Sequence, residues 1–497
     1  MANLSTTDLS NATQFSNLIS ANPDIRTQVW SELVRRDSRE QNVLKQFMGG
    51  ENSYMPVCEK RDLKAGGSDK VIFTTVAPIR GQGVLGETVL KDNTDKLRFG
   101  TFDVQVDLLR HAVSYTQVLQ IHRFTGKTLD QISAELMSGW YGRKEQDDIQ
   151  AVLRETARII NGGDENITRI GNKQSTDDLR LDDLLDTETI EQSKQILTSL
   201  GAEYLGYERD VAGSEVPQYL VFGPDYFTKG LRRNASFLQQ LREAGVRDTS
   251  QNDLFTGRMP LWDNNLIFNH QIKVDTAQGR QGSPLAPVAF VGQAIANASA
   301  TTITGGGSQN SAGSINSDFF AYFPGYNWKI VEGDTKLQEA GANEYYALIY
   351  NLSTDRNYEI IKYTAADNDG VSLTSVTREV DETGFTQKTK LQNAGRYSAS
   401  HPTGSIILPC NRYGVPYAWA LHMGANALYF GKGYVDMEQI FHYDDFANAG
   451  NRAHVTAMGI QSVRGMSAYE DTNNRFPNFN LIEGAITYPG LDLVDLS

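Results

Sequence analysis

The chain is expected to adopt an α+β fold built around a long strut helix and an outstretched hairpin, with a β-rich region inserted in its second half. Three observations predict this. Residues 69 to 116 hold two strand patterns around a polar, glycine-containing connection. Thr128 to Ile160 holds the longest helical period of the sequence. Between about 276 and 410 composition and period switch from helical to β-dense, and the earlier α/β pattern resumes at Tyr417.

Each element follows from its residues. The first 25 residues are polar, rich in Ser, Thr and Asn, and read as an arm. Ile25, Val29, Trp30, Leu33 and Val34, then Leu44 and Phe47, fall at helical spacing, and Gly49-Gly50 ends that pattern. Lys70 to Ile79 (KVIFTTVAPI) is β-rich, and Phe102 to Leu108 (FDVQVDL) alternates strictly between apolar and polar. Two such strands joined by a polar loop bury too little to form a domain alone, so the hairpin needs outside support. Thr128-x-x-Gln131 is a capping box that starts the long helix. Leu129, Ile132, Leu136 and Trp140, continued by Ile149, Val152, Leu153, Thr156 and Ile160, predict its buried face. Asn161-Gly162-Gly163 stops it after roughly 50 Å, and Gly139 and Gly142 mark a point where it could bend.

Residues 177 to 270 alternate helix and strand. A helix is predicted over Asp186 to Leu200, a buried strand over Gln218 to Phe222, short helices over Asp225 to Arg233 and Ala235 to Glu243, and a strand at the end of Leu261 to His270. The acidic run before Thr187 suits the positive end of the helix that follows. Gln278 to Asn316 is rich in Gly, Ser, Ala and Asn, and strands follow over Tyr345–Asn351, Tyr358–Thr364 and Val371–Glu379. Ala418 to Tyr429 is predicted as a helix packed through Leu421, Ala425 and Leu428, with strands over 435–444, 452–466 and 479–487.

Composition narrows the function. A length of 497 residues with 40% apolar content supports about two to four structural units and a real core. No apolar run approaches the roughly 18 residues of a membrane span, and the first residues lack the basic and apolar regions of a secretory signal. Sixty acidic against 46 basic residues give a net charge of −14, without the basic footprint of a nucleic-acid binder. The pairs Arg35-Arg36 and Arg232-Arg233 are isolated. Cys58 and Cys410 fit no metal-ligand spacing and are read as buried, reduced thiols, the alternative being a late disulfide between subunits.

Catalytic signatures are absent. The sequence has no P-loop, no G-x-S-x-G, no H-E-x-x-H and no C-x-x-C. Gly81 to Gly86 matches G-x-G-x-x-G but opens no helix, so it is read as a hairpin tip. His111, His122, His270, His401, His422, His442 and His454 are scattered singly, as hydrogen-bonded polar residues are. His442, Asp444, Asp445 and His454 form the one acid/histidine concentration; a cation could sit there, but hydrogen-bonded carboxylates at a strand end are the preferred reading. No catalytic, cofactor-binding or metal-ligating residue is assigned, and no cofactor is expected.

The order of polar arm, extended hairpin, long helix, α/β unit and closing strands resembles the Hong Kong 97-like fold of tailed-phage major capsid proteins. More narrowly, the chain looks like the capsid proteins of podophages related to coliphage N-four. Thr27 to Phe47 is similar to that family's N-terminal W-x-x-x-L helix, and Phe102 to Gln117 with the following helix to its extended-loop return strand and spine helix. Gly257 to His270, Ala420 to Gly433 (ALHMGANALYFGKG) and Tyr443 to Thr472 resemble its later signatures. The likeness covers about residues 25 to 275 and 415 to 490, while 276 to 410 departs from a minimal member.

The resemblance implies a structural, non-enzymatic protein whose copies form hexamers and pentamers of an icosahedral head around double-stranded DNA. It implies an N-terminal arm over 1–53, an extended loop over 54–116 and a peripheral domain over 117–176 with its spine helix at 128–161. An axial domain over 177–275 and an inserted β-rich domain over 276–414 follow. Residues 415–497 complete the axial domain and close the peripheral one. Expected partners are other copies of the chain, with portal, scaffold and decoration or cement proteins, and packaged DNA held without sequence-specific contact. No membrane is involved; assembly is expected in the host cytoplasm and residence in the virion. A Lys–Asn cross-link occurs in some relatives; Lys70, Lys91 and Lys96 lie in the hairpin, but no partner Asn can be chosen. The alternative function is a β-rich virion adhesin, receptor-binding or decoration protein.

Overall fold

A computed structural model describes residues 42–51, 53–63, 69–76, 99–116, 129–160, 166–209, 215–228, 230–239, 261–270, 282–295, 300–305, 319–333, 336–338, 344–351, 358–366, 371–378, 400–433, 439–443, 455–471 and 475–486, with Gly86 and Leu97. The arm up to residue 41, the Thr128 cap, most of the hairpin tip and residues 444–454 lie outside them.

A 3-10 turn, Val43–Phe47, buries Leu44 and Phe47 and leads directly into β1 (Met48–Gly49). The helical pattern predicted to reach Phe47 therefore does not end as an α-helix: its last turn is tightened and the chain extends at Met48, whose φ and ψ are those of a strand. Strands β2 (Val57–Leu63), β3 (Lys70–Val76), β4 (Phe99–Gln105) and β5 (Asp107–Thr116) follow.

Helix α1 (Leu129–Glu155) runs into a π-helical turn, Thr156–Ile160. It passes Gly139 and Gly142 without a break in helical assignment. The predicted apolar face is corrected at Leu136, which points to solvent; Ala134, Met137 and Tyr141 instead pack on Met458 and Ile460. The second half is enclosed on more than one side. There Ile149, Val152 and Leu153 are buried as expected, and so are Glu145, Gln146, Asp147, Asp148 and Gln150. An amphipathic pattern cannot report a helix surrounded in this way.

The next elements are β6 (Ile167–Arg169), α2 (Thr187–Leu200), β7 (Tyr207–Arg209), β8 (Glu215–Pro217), β9 (Tyr219–Pro224), α3 (Asp225–Thr228), β10 (Leu261–Trp262) and β11 (Asn265–His270). Asp186 caps α2, accepting from the Thr189 amide at 2.8 Å, which is where the acidic run places its benefit. Gly201 ends α2 in the left-handed region, φ 81°.

The inserted region contributes β12 (Ala289–Phe290), β13 (Ile303–Thr304), β14 (Tyr345–Tyr350), β15 (Tyr358–Tyr363), β16 (Ala365–Ala366), β17 (Ser372–Thr374) and β18 (Ile406–Cys410). They form a four-stranded sheet, β12-β18-β14-β15, and a small one, β13-β17-β16. The final strands are β19 (Tyr417–Met423), β20 (Leu428–Gly433), β21 (Gln439–Tyr443), β22 (Val455–Ala468) and β23 (Phe479–Ala485).

The predicted helix over Ala418–Tyr429 is thus two strands and a turn. β19 is central in the sheet β10-β11-β9-β19-β23-β6, and all seven of its residues are buried. A strand covered on both faces reads as an unbroken apolar run, which helical spacing also fits. The turn at Gly424-Ala425-Asn426, with Asn426 at φ 54°, separates it from β20. The second large sheet runs β1-β2-β20-β22-β21, with β5 also on β22. The C-terminal half of α1 lies in the main core with residues of both large sheets, and Leu285, Ala321, Trp328 and Leu337 of the inserted region join it there.

Candidate functional site

Strands β3 and β4 pair over their whole length, Lys70 with Gln105 through Val76 with Phe99. Alternation gives the ribbon two unlike faces. Val71, Phe73 and Val104 turn inward, with Phe73 4.5 Å from the Tyr429 ring of β20 and Cys58 in the same cluster. The outer face mixes exposed polar residues with three exposed apolar ones: Ile72 is 55% exposed, Val76 56% and Phe99 67%, with Leu97 at 61%. Leu136 on α1 is 66% exposed. Large exposed apolar side chains grouped at one end of a ribbon are candidates for covering by a partner.

A seam of buried charge holds α1 to the strands behind it. Lys432 of β20 donates to Glu145, and Arg464 of β22 to Asp148, which also takes Lys144 at 2.9 Å. Burial pushes the Glu145 carboxyl up, but the Lys432 and Lys45 charges outweigh it and hold it down to about 2. Arg154 pairs with Glu155 and donates to the carbonyls of Pro284 and Tyr322 at 2.5 and 2.7 Å. The Lys144–Asp148 pair is four residues apart on one helix, and Arg154 and Glu155 are neighbours. The Lys432–Glu145 and Arg464–Asp148 pairings were not legible in the sequence, since their partners lie about three hundred positions apart on elements of unlike period.

His122 and His454 lie outside the described residues; the structure places four others. His422 is buried between Ser193 at 2.7 Å and Asn265 at 3.0 Å, and its pKa falls to about 3 through burial and the Lys194 charge. His270 meets Gln146 at 2.9 Å, and burial lowers it to about 4. His111 stacks on Trp140 at 4.2 Å. His401 lies 2.9 Å from Glu359, which also takes Arg378. That trio, which sequence reading missed, is closed off from solvent and so is unreachable by a substrate.

Of the acid/histidine concentration, Asp444, Asp445 and His454 lie outside the described residues, and His442 is in β21. Among the described residues no group of three or more His, Cys, Asp or Glu could hold a metal. Cys58 and Cys410 are both free and buried, and burial raises both thiols, Cys58 to about 11. Lys70 binds Asp103 at 2.8 Å on the ribbon's outer face; Lys91 and Lys96 lie outside the described residues. Among the described residues no helix is long and apolar enough to cross a membrane.

Among the described residues, then, the chain presents a ribbon and a strut joined to two sheets, with large apolar side chains left exposed on the ribbon. The family model for phage capsid protein matches residues 12–309, more than half of the length. The chain therefore belongs to the phage capsid protein family: it is a tailed-phage major capsid protein with a Hong Kong 97-like α+β fold. Among solved structures, the cyanophage Pam1 capsid asymmetric unit is similar at a TM-score of 0.50 and 11% identity, over 98% of this chain and 99% of that one. The capsid of Ralstonia phage GP4 gives a TM-score of 0.49 and 12% identity over 98% and 99%. The acidic stable capsid of Helicobacter pylori bacteriophage KHP30 gives 0.48 and 11% over 90% and 92%. No curated protein matches. The role is structural and the place is the virion.

Proposed function

We propose that many copies of this chain assemble into hexamers and pentamers and close into an icosahedral head of the podophage type around double-stranded DNA, without catalysis. One observation supports the reading: Ile72, Val76 and Phe99 on the outer face of the β3–β4 ribbon, with Leu97, are large apolar side chains left exposed. A second copy is their natural cover, since ring-closing contacts join unlike surfaces of identical subunits. In this reading 54–116 is the extended loop, 128–161 the spine helix of a peripheral domain 117–176, and 177–275 with part of 415–497 the axial domain. Residues 1–53 are the arm, and 276–414 an insertion on the outside of the shell. Portal, scaffold and decoration proteins are the further partners, and assembly takes place in the host cytoplasm. The net charge of −14 supports DNA enclosed rather than gripped.

Size-exclusion chromatography with negative-stain microscopy of the purified chain tests this. Shells, hexamers or pentamers support it. A monomer at every concentration and salt condition would remove it, and trimeric fibres would favour the adhesin reading.

A further inference from the structure

Within the contacts between the inserted region and α1, Tyr322 makes polar bonds at two points of the helix. Tyr322 offers its carbonyl to Arg154 at 2.7 Å and its phenol to Asp147, the hydroxyl donating to Oδ2 at 2.5 Å. Asp147 and Arg154 stand about two helical turns apart, so Tyr322 is gripped at both ends. Its ring stacks on Trp328 at 5.6 Å, and Lys144 lies 4.6 Å over that indole.

The Asp147 end differs from the rest of the seam in charge. On either side of it, Glu145 has Lys432, and Asp148 has Arg464 and Lys144. Buried Asp147 instead meets a neutral hydroxyl, with the Asp148 carboxylate as its neighbour. A buried carboxyl in that position is stable with its proton on and costly without it.

We propose that buried Asp147, beneath the Tyr322 phenol, is a proton-gated clamp: it lets the inserted region stay closed on the long helix while its carboxyl is protonated, and on ionising it favours opening because the buried charge then gains water. The Tyr322 hydrogen bond itself favours the ionised form. Burial first, then the Asp148 charge, push the carboxyl up; the Tyr322 hydrogen bond, Lys144 and Arg143 pull it down, and the balance stands at about 7. Arg464 of β22 acts through Asp148. The phenol, raised well above its ordinary value by burial and by Asp147, remains the donor throughout. The sign follows. The closed clamp keeps its proton to about pH 7, whereas an opened, hydrated Asp147 loses it near its ordinary value of 3.8. Between those limits opening releases a proton, so it becomes easier by about tenfold per pH unit and is flat outside them.

Hydrogen exchange of the full-length chain from pH 5 to pH 8 tests the clamp, read over residues 319–330 in the wild type and in D147N, whose amide cannot ionise. Taking the ratio cancels the intrinsic pH trend of exchange. Wild-type protection relative to D147N should fall about tenfold per pH unit up to pH 7 and then level. A ratio that is constant with pH, or one that falls equally over β14 and β19, overturns the proposal. Y322F supplies a second reading should D147N not fold. Losing the hydroxyl removes a pull on the carboxyl, so the levelling point moves to higher pH; a profile identical to that of the wild type overturns the clamp.

Discussion

Lys432 and Glu145 illustrate why single residues matter inside this helix-and-strand seam. Both are buried, and each is the other's main compensation for lost water. Lys432→Ala should therefore cost about 3–5 kcal/mol in denaturant unfolding, because it strands a buried carboxylate. The double change K432M/E145L should recover most of that loss, since a well-packed apolar pair can replace a buried ion pair. A glycine gives a second test. A Cβ on Gly465 would sit 1.8 Å from the Gln105 carbonyl oxygen, where β22 passes the end of β4. Backbone cannot yield as a flexible side chain does, so Gly465→Ala should lower stability by about 1–3 kcal/mol in the same assay. At this scale the sequence revealed what is local. The acidic start of α2 and the buried cysteines were legible, whereas the Asp186 cap itself and the long-range ion pairs were not, because a charge on an apolar-patterned helix does not name its partner.

At the scale of elements the ribbon was read correctly, since strict alternation is a local signal that survives any packing. Val76 and Phe99 face each other across it on the uncovered side. V76K with F99E, opposite charges on facing positions, should leave subunit stability within about 0.5 kcal/mol, as exposed substitutions do. It should also abolish shells in negative stain; shells forming at the wild-type yield would contradict the proposed role of the ribbon. Helix α1 was legible in its existence and length but not in its faces. Leu136 fits the helical period and still points outward, because the first half of the helix meets β22 along a narrow strip. β19 failed for the converse reason, since full burial erases the alternation that would have named it a strand.

At the scale of the whole molecule, the inserted region has clusters of its own among the described residues and also contributes to the main core. Leu285, Ala321, Trp328 and Leu337 come from the inserted region yet pack with Ile149, Val152, Leu421 and Phe430. Were the inserted region a separate unit, residues 285–405 could be cut out with a short linker. With these contacts, that excision should broaden or abolish the cooperative melting of the remainder; an unchanged, sharp transition would show the shared positions to be dispensable. Stability should also depend on pH through His422 and His270, lowered by burial to about 3 and about 4. An unfolded histidine takes up its proton near 6.5. Stability from these two is thus complete above pH 6.5 and is lost as pH falls from there toward 4 and 3, by several kcal/mol. Glu359 acts in the same direction at lower pH. Burial pushes it up, but hydrogen bonds from His401 and Arg378 bring it below its ordinary value, so its contribution also fades on acidification. Asp147 runs the other way, costing stability as pH rises from about 4 to 7. Urea midpoints of H422Q and D147N against pH separate the two, each variant flattening its own limb.

By itself the sequence determined the elements whose signal is periodic or local: the ribbon, the strut helix, the acidic start of α2, the order of parts and, through that order, the resemblance to a capsid chain. Tertiary structure alone decided which face of α1 is inside, that residues 417–433 are two strands, and that the inserted region shares the core. The reason is physical. Periodicity records burial on one side only, whereas an element enclosed on several sides takes its conformation and its charge partners from neighbours distant in the chain.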